Sequence, residues 1–130
     1  KATFFLSTNC FSAKDEDYYK IMKQLKLILK EKHEIGLHMH PDSDLALQTA
    51  LKERFWHTSA KNYDYYKINQ FIKTSEQLIR KNIRINPTSF RWGNWALNTD
   101  GVKALQGNGF KVDSSATPGI LNTWKKGKQL

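Results

Sequence analysis

Glu34-Ile35-Gly36-Leu37-His38-Met39-His40-Pro41-Asp42 is the stretch that decides the fold: a short apolar run that ends in two histidines and a carboxylate. Its length and composition read as a buried strand whose C-terminal end opens into a loop. In an extended backbone alternate side chains share a face, so His38 and His40 are expected to point the same way at the rim of a parallel sheet, where α/β folds place their active sites. Two imidazoles on one edge can hold Zn²⁺ or a similar borderline cation when a carboxylate completes the set and one position stays open. The competing reading is a pair of solvent-exposed loop histidines, because this spacing alone does not locate a third ligand.

Working outward, strand and helix patterns alternate. Ala2-Thr3-Phe4-Phe5-Leu6 is a compact β-prone run, too short for a helix and too apolar for a surface strand. Ser12 stands three residues before Asp15 in a capping-box-like arrangement, and Asp15, Glu16 and Asp17 put negative charge where a helix N-terminus favours it. Tyr18, Ile21, Met22, Leu25, Ile28 and Leu29 recur at helical spacing and predict an amphipathic helix to about Glu31. Beyond the histidines come a shorter helix from Asp44 to about Phe55 and a polar aromatic loop to Tyr63. A long helix follows, with Ile68, Phe71, Ile72, Ser75, Leu78 and Ile79 on its inner face. Ser89-Phe90-Arg91 is the third strand and runs into Trp92-Gly93-Asn94-Trp95. Asn98 caps a helix carrying Val102 and Leu105, Gly107 and Gly109 end it, and Phe110-Lys111-Val112-Asp113 is the fourth strand. This alternation means right-handed βαβ units and a parallel sheet, and four such strands do not close a barrel.

Length and charge bound the function classes. The 130 residues suffice for one domain with one modest core. Twenty-one Lys+Arg against 12 Asp+Glu give a formal charge of +9, which raises the question of an anionic partner. Many lysines (Lys20, Lys23, Lys26, Lys30, Lys67, Lys73) fall on outer helix faces, and only Lys125-Lys126-Gly127-Lys128 forms a cluster, so no nucleic-acid stripe is expected. The single Cys10 excludes an intrachain disulfide framework. The sequence carries no signal-peptide pattern and no membrane-spanning run, but it starts at Lys1 and not at a Met, so an upstream leader and the localisation stay open.

Four segments carry a resemblance. Lys1-Ala2-Thr3-Phe4-Phe5-Leu6, Glu34-Ile35-Gly36-Leu37-His38, Ser89-Phe90-Arg91-Trp92-Gly93-Asn94-Trp95 and Gly109-Phe110-Lys111-Val112-Asp113-Ser114-Ser115-Ala116-Thr117-Pro118-Gly119 are similar, in order and in register, to successive blocks of the polysaccharide deacetylases, the NodB-homology or carbohydrate esterase family 4 group. The resemblance implies an α/β fold that is the parallel-sheet portion of a distorted (β/α) barrel, with residues 1–130 as one partial catalytic domain. It also implies a metal-dependent hydrolase that removes acetyl groups from an acetylated polysaccharide or oligosaccharide, and an extracytoplasmic or cell-envelope setting. Two departures stand out. The Asp-Asp motif usual shortly before the first block lies outside this sequence, and the second histidine expected four residues after His38 is replaced by Asp42, with a histidine at His40 instead. A Leu-x-His motif, whose histidine serves as general acid in the family, has no match before Leu130. The chain therefore resembles an internal portion of a larger domain.

Under this resemblance His38 and His40 are expected to ligate a divalent metal, zinc by its chemistry, with Asp42 an alternative ligand or an orienter of a histidine ring. Arg91 matches the family position that orients the catalytic carboxylate, a role suited to its fixed fork. Trp92 and Trp95 flank Gly93 on a loop where an indole can stack on a sugar ring, and one of the two is expected to line the cleft, the alternative being ordinary packing. Asp113 ends a strand on the same rim and either faces substrate or forms a turn before Ser114-Ser115. His33 and His57 read as structural. Amidohydrolases also use His-x-His at a barrel strand end but need further histidines on later strands, and none follows His57. The non-enzyme alternative is a degenerate deacetylase domain that keeps a carbohydrate-binding cleft without the chemistry.

Overall fold

The computed structural model describes residues 1–116. Its strands are β1 (Thr3–Ser7), β2 (Glu34–Met39), β3 (Ser89–Trp92) and β4 (Val112–Asp113), and its helices are α1 (Asp15–Lys30), α2 (Leu45–Leu51), α3 (Tyr65–Ile83) and α4 (Thr99–Gly107). The strands form one parallel sheet in the order β1-β2-β3-β4. Register pairs Ser7 with His38 and His38 with Arg91, so the ends of three strands meet at one level. Spatial order equals chain order, and right-handed crossovers then put every helix on the same face. Burial agrees. Leu37, Met39, Phe90 and Trp92 from one sheet face join Leu47 of α2, Ile68, Phe71, Ile72 and Ile79 of α3, and Ala104 and Leu105 of α4 in a single core. The period of two assigns Phe5, Ser7, Glu34, Gly36, His38, Ser89 and Arg91 to the opposite face, which is largely polar.

Local chemistry explains most boundaries and a few shifts from expectation. The carboxylates of Asp44 and Asp64 and the amide oxygen of Asn98 accept from the backbone N–H of Leu47, Lys67 and Gly101, capping α2, α3 and α4. Ser12 does not cap α1. A 3₁₀ turn over Thr8–Ser12 intervenes, the Ser12 hydroxyl is consumed by Asn9 within it, and Lys14 precedes the helix without a side-chain cap. Helix α2 stops at Leu51 and not near Phe55, because Lys52 turns left-handed (φ 53°) and Phe55 is drawn into the core edge-on to Phe71, with ring centroids 4.7 Å apart. β4 starts at Val112 because Phe110 packs against Phe90. Gly109 takes φ +79° just past α4, where a side chain would be strained. The lysine cluster 125–128 lies outside the described residues. Among the described residues no helix is long and apolar enough to cross a membrane.

Candidate active site

His38 stands on the polar sheet face beside its register partner Arg91, and its Nδ1 lies 2.8 Å from the Arg91 carbonyl oxygen. A carbonyl can only accept, so Nδ1 carries the proton and the neutral ring presents the Nε2 lone pair. Burial lowers the His38 pKa, and the charges of His40 and Arg91 lower it further against the raising effect of that carbonyl contact. The ring is therefore neutral at pH 7, the form that binds metals. The His40 ring meets it edge-on, with centroids 4.8 Å apart.

His40 is seated by a glycine. A Cβ on the buried Gly93 would lie 2.4–2.6 Å from three atoms of the His40 ring, so the loop after β3 approaches that ring only because residue 93 has no side chain. From below, the His40 carbonyl accepts the N–H groups of Ser43 and Asp44, both at 3.1 Å, and closes the turn after β2. That turn delivers Asp44, 1 % exposed, to the end of β1, where its carboxylate accepts from the Thr8 hydroxyl at 2.5 Å and the Ser7 hydroxyl at 3.4 Å. Asp44 thus pins two strand ends together while capping α2. Its position before a helical pattern signalled the cap, whereas its contacts with β1 had no sequence signal.

Arg91 is held by Ser114, whose hydroxyl accepts from Nε at 3.2 Å and Nη2 at 2.7 Å, and by Phe5, whose ring lies 4.4 Å beneath the guanidinium carbon. Two of its five N–H donors are thereby used and the fork is fixed in orientation. The structure separates the other expected residues. Asp42 does not join the histidines: one of its carboxylate oxygens is buried with no partner among the described residues, and its charge reaches Tyr63, whose phenol pKa is raised first by burial and in smaller part by Asp42. Asp113 is exposed, shares the Phe90 face and not the His38 face, and closes a local turn by accepting from the Ser115 N–H at 2.9 Å. Trp92 is fully buried, with its indole N–H donated to the Thr58 carbonyl, so it has no face for a sugar. Trp95 is 51 % exposed. His33 accepts from the Ala2 N–H and packs on Phe4, and the main-chain carbonyl of His57 accepts from the Tyr63 hydroxyl. Thr117, Pro118 and Gly119 lie outside the described residues.

A divalent cation fits this arrangement in part. His38 has the tautomer and orientation of a ligand whose other nitrogen is held by a carbonyl. Among the described residues, however, no group of three His, Cys, Asp or Glu side chains comes together to hold an ion. These residues bring two imidazoles together and no carboxylate.

A sequence model of the polysaccharide deacetylase family matches residues 1–112. No curated protein matches the chain. Among solved structures the chain is similar to a candidate polysaccharide deacetylase from Mycobacterium smegmatis, with 18% identity and a TM-score of 0.59 over 85% of this chain. That overlap spans 31% of the other chain's length, and at this identity the likeness shows the parallel α/β fold alone.

Proposed function

The chain belongs to the polysaccharide deacetylase family, and from that premise we propose that it forms one part of a metal-dependent hydrolase domain that removes acetyl groups from an acetylated glycan or amino sugar. The observation that carries this reading is the contact of His38 Nδ1 with the Arg91 carbonyl, which leaves Nε2 unprotonated on a ring that meets a second imidazole edge-on. In this reading His38 and His40 hold a divalent cation, zinc by the preference of imidazole donors. When bound, such an ion supplies Lewis acidity toward the acyl carbonyl. The remaining N–H donors of Arg91, oriented by Ser114 and Phe5, hold a carboxylate in place, and Trp95 offers its indole face to a sugar ring.

Calorimetric titration of the chain with Zn²⁺ tests the metal site. His38→Ala is expected to abolish the site, while His33→Ala and His57→Ala leave it intact. An isotherm unchanged by His38→Ala refutes the assignment. In a protein that contains this chain with its flanking segments, acetate release is expected to depend on His38, His40 and Arg91, and Arg91→Lys is expected to lower kcat more than it raises KM. If such a protein frees no acetate from any acetylated amino sugar, the carbohydrate-binding reading replaces this one.

A further inference from the structure

The loop that seats His40 also shapes a second feature. Immediately after Gly93, Asn94 and Trp95 both take left-handed backbone angles, φ 53° and 50°. For a residue as bulky as tryptophan this is a costly conformation, on the order of 1–3 kcal/mol, that persists only where the surroundings impose it. The surroundings are explicit. The Ala96 N–H donates to the Gly93 carbonyl, the Ala96 carbonyl accepts from Ala60 N–H, and the Asn98 side chain donates to the Ala60 carbonyl. The fold thus bolts the 94–98 loop to the 3₁₀ turn at Ala60–Asn62 and holds Trp95 half in solvent, outside the core cluster. Between the two bolted loops lies a groove of about 340 Å³, at the small end of the range for ligand sites. Trp95, Lys61, Ser59 and Asn94 line it together with Ala96, Leu97 and Asn98, whose amide is engaged by Gly101 and Ala60, and no carboxylate is among the lining residues. An exposed flat apolar ring beside hydroxyl and amide groups suits a pyranose, which has an apolar face and a polar rim. Lys61 adds a positive charge, and the charge of the whole chain is +9.

We propose that the groove between Ser59–Lys61 and Asn94–Asn98 is a sugar subsite that prefers a ring bearing a carboxylate, with the pyranose stacked on Trp95 and its anionic group on Lys61. The proposal rests on the reading of a glycan as substrate and specifies its chemistry: an acetylated glycan that also carries acidic sugars. Gly93, against which the His40 ring packs, is the chain neighbour of the groove residue Asn94.

The test uses the whole chain and two N-acetylated tetrasaccharides of equal length, neutral chitotetraose and a hyaluronan tetrasaccharide in which glucuronate alternates with N-acetylglucosamine. Binding is followed by the indole N–H resonances of the four tryptophans, with that of Trp95 assigned through Trp95→Phe. The expected result is a shift at Trp95 with both sugars. Affinity for hyaluronan should be about threefold higher, the size of one exposed ion pair. That margin should vanish in Lys61→Gln and in 0.5 M salt at about the same neutral-sugar affinity. Trp95→Ala should remove both interactions, and retained dispersion of the other indole signals shows that the variant is folded. Equal affinity for the two sugars overturns the acidic preference, and a Trp95 resonance that moves with neither overturns the subsite. Since binding is read without turnover, a chain that binds as expected while a protein containing it with flanking segments frees no acetate refutes the hydrolase and not the subsite.

Discussion

Removing the Asp44 carboxylate isolates what holds the ends of β1 and β2 at one level. In Asp44→Ala two losses are expected. The backbone N–H of Leu47 loses its cap, a cost of about 1 kcal/mol. The Thr8 hydroxyl, 0 % exposed, loses the acceptor it meets at 2.5 Å, and an unpartnered buried hydroxyl costs about 1–3 kcal/mol. The sum is about 3 kcal/mol out of the 5–15 kcal/mol (roughly) typical of a domain. With a urea m-value of about 1.5 kcal/mol/M, the midpoint should fall by about 2 M. Asp44→Asn keeps an acceptor for the cap and should lose about 1 kcal/mol. Urea unfolding followed by circular dichroism measures all three proteins. Thr8→Val removes the stranded hydroxyl, so in the double mutant the two losses should fall short of additivity by about 1 kcal/mol or more. A loss in Asp44→Ala no larger than the cap alone, or strict additivity with Thr8→Val, refutes the reasoning.

Three further outcomes follow from the same geometry. Gly93→Ala drives a Cβ into the His40 ring, so zinc affinity should drop about 10–100-fold, as when a ligand loses its support, while the fold persists; undiminished affinity shows that His40 is not a ligand. Glu34 accepts from the hydroxyls of Ser89, Thr3 and Thr88, and these bonds hold its pKa below the ordinary 4.5. Its contribution is therefore complete above pH 4.5 and is lost as pH falls from there through the lowered folded value, so Glu34→Gln should flatten the stability profile on the acid side and a superimposable profile contradicts this. Burial, with the Asp44 charge in second place, pushes the Cys10 thiol up to about 12, so the native thiol should react with Ellman's reagent at pH 8 far more slowly than in urea; equal rates count against the described packing.

Most of the architecture was legible because it depends on periodicities, although β1, expected to be too apolar for a surface strand, is an edge strand with Phe4 44 % exposed. Of the expected α3 stripe, Ile68, Phe71, Ile72, Ser75 and Ile79 are buried and Leu78 is partly so, and the alternation through Leu37, His38 and Met39 divides core from polar face. His38 next to Arg91 was legible for the same reason, since each ends a strand and parallel strands align their ends. What escaped are contacts whose partners lie far apart in sequence with at least one of them outside strands and α-helices: Asp44 with Thr8, Arg91 with Ser114, and His40 over Gly93. Trp92 and Trp95 look equivalent in sequence, yet strand phase sends one indole into the core and a left-handed turn sends the other to solvent. The extended character of Val112-Asp113 was visible, but the face Asp113 takes followed only from its pairing with Phe90.

The sequential strand order also has an entropic consequence. Pairing β1 with β2 closes a span of 31 residues (Thr3 to Glu34), β3 with β4 one of 23 (Ser89 to Val112), and β2 with β3 one of 53 (Leu37 to Phe90). Loop-closure entropy grows as (3/2)RT ln n, so the central pairing costs about 0.5 and 0.7 kcal/mol more than its neighbours. The β2–β3 seam between the two βαβ halves is thus the costliest of the three pairings to close, by less than about 1 kcal/mol. His38 lies on one half and Arg91 on the other, so the hydrogen bond that fixes the imidazole tautomer exists only once the seam has shut. The tautomer of the candidate metal ligand is therefore tied to the least local pairing in the sheet, and any state with β2 and β3 apart has a His38 ring without that bond.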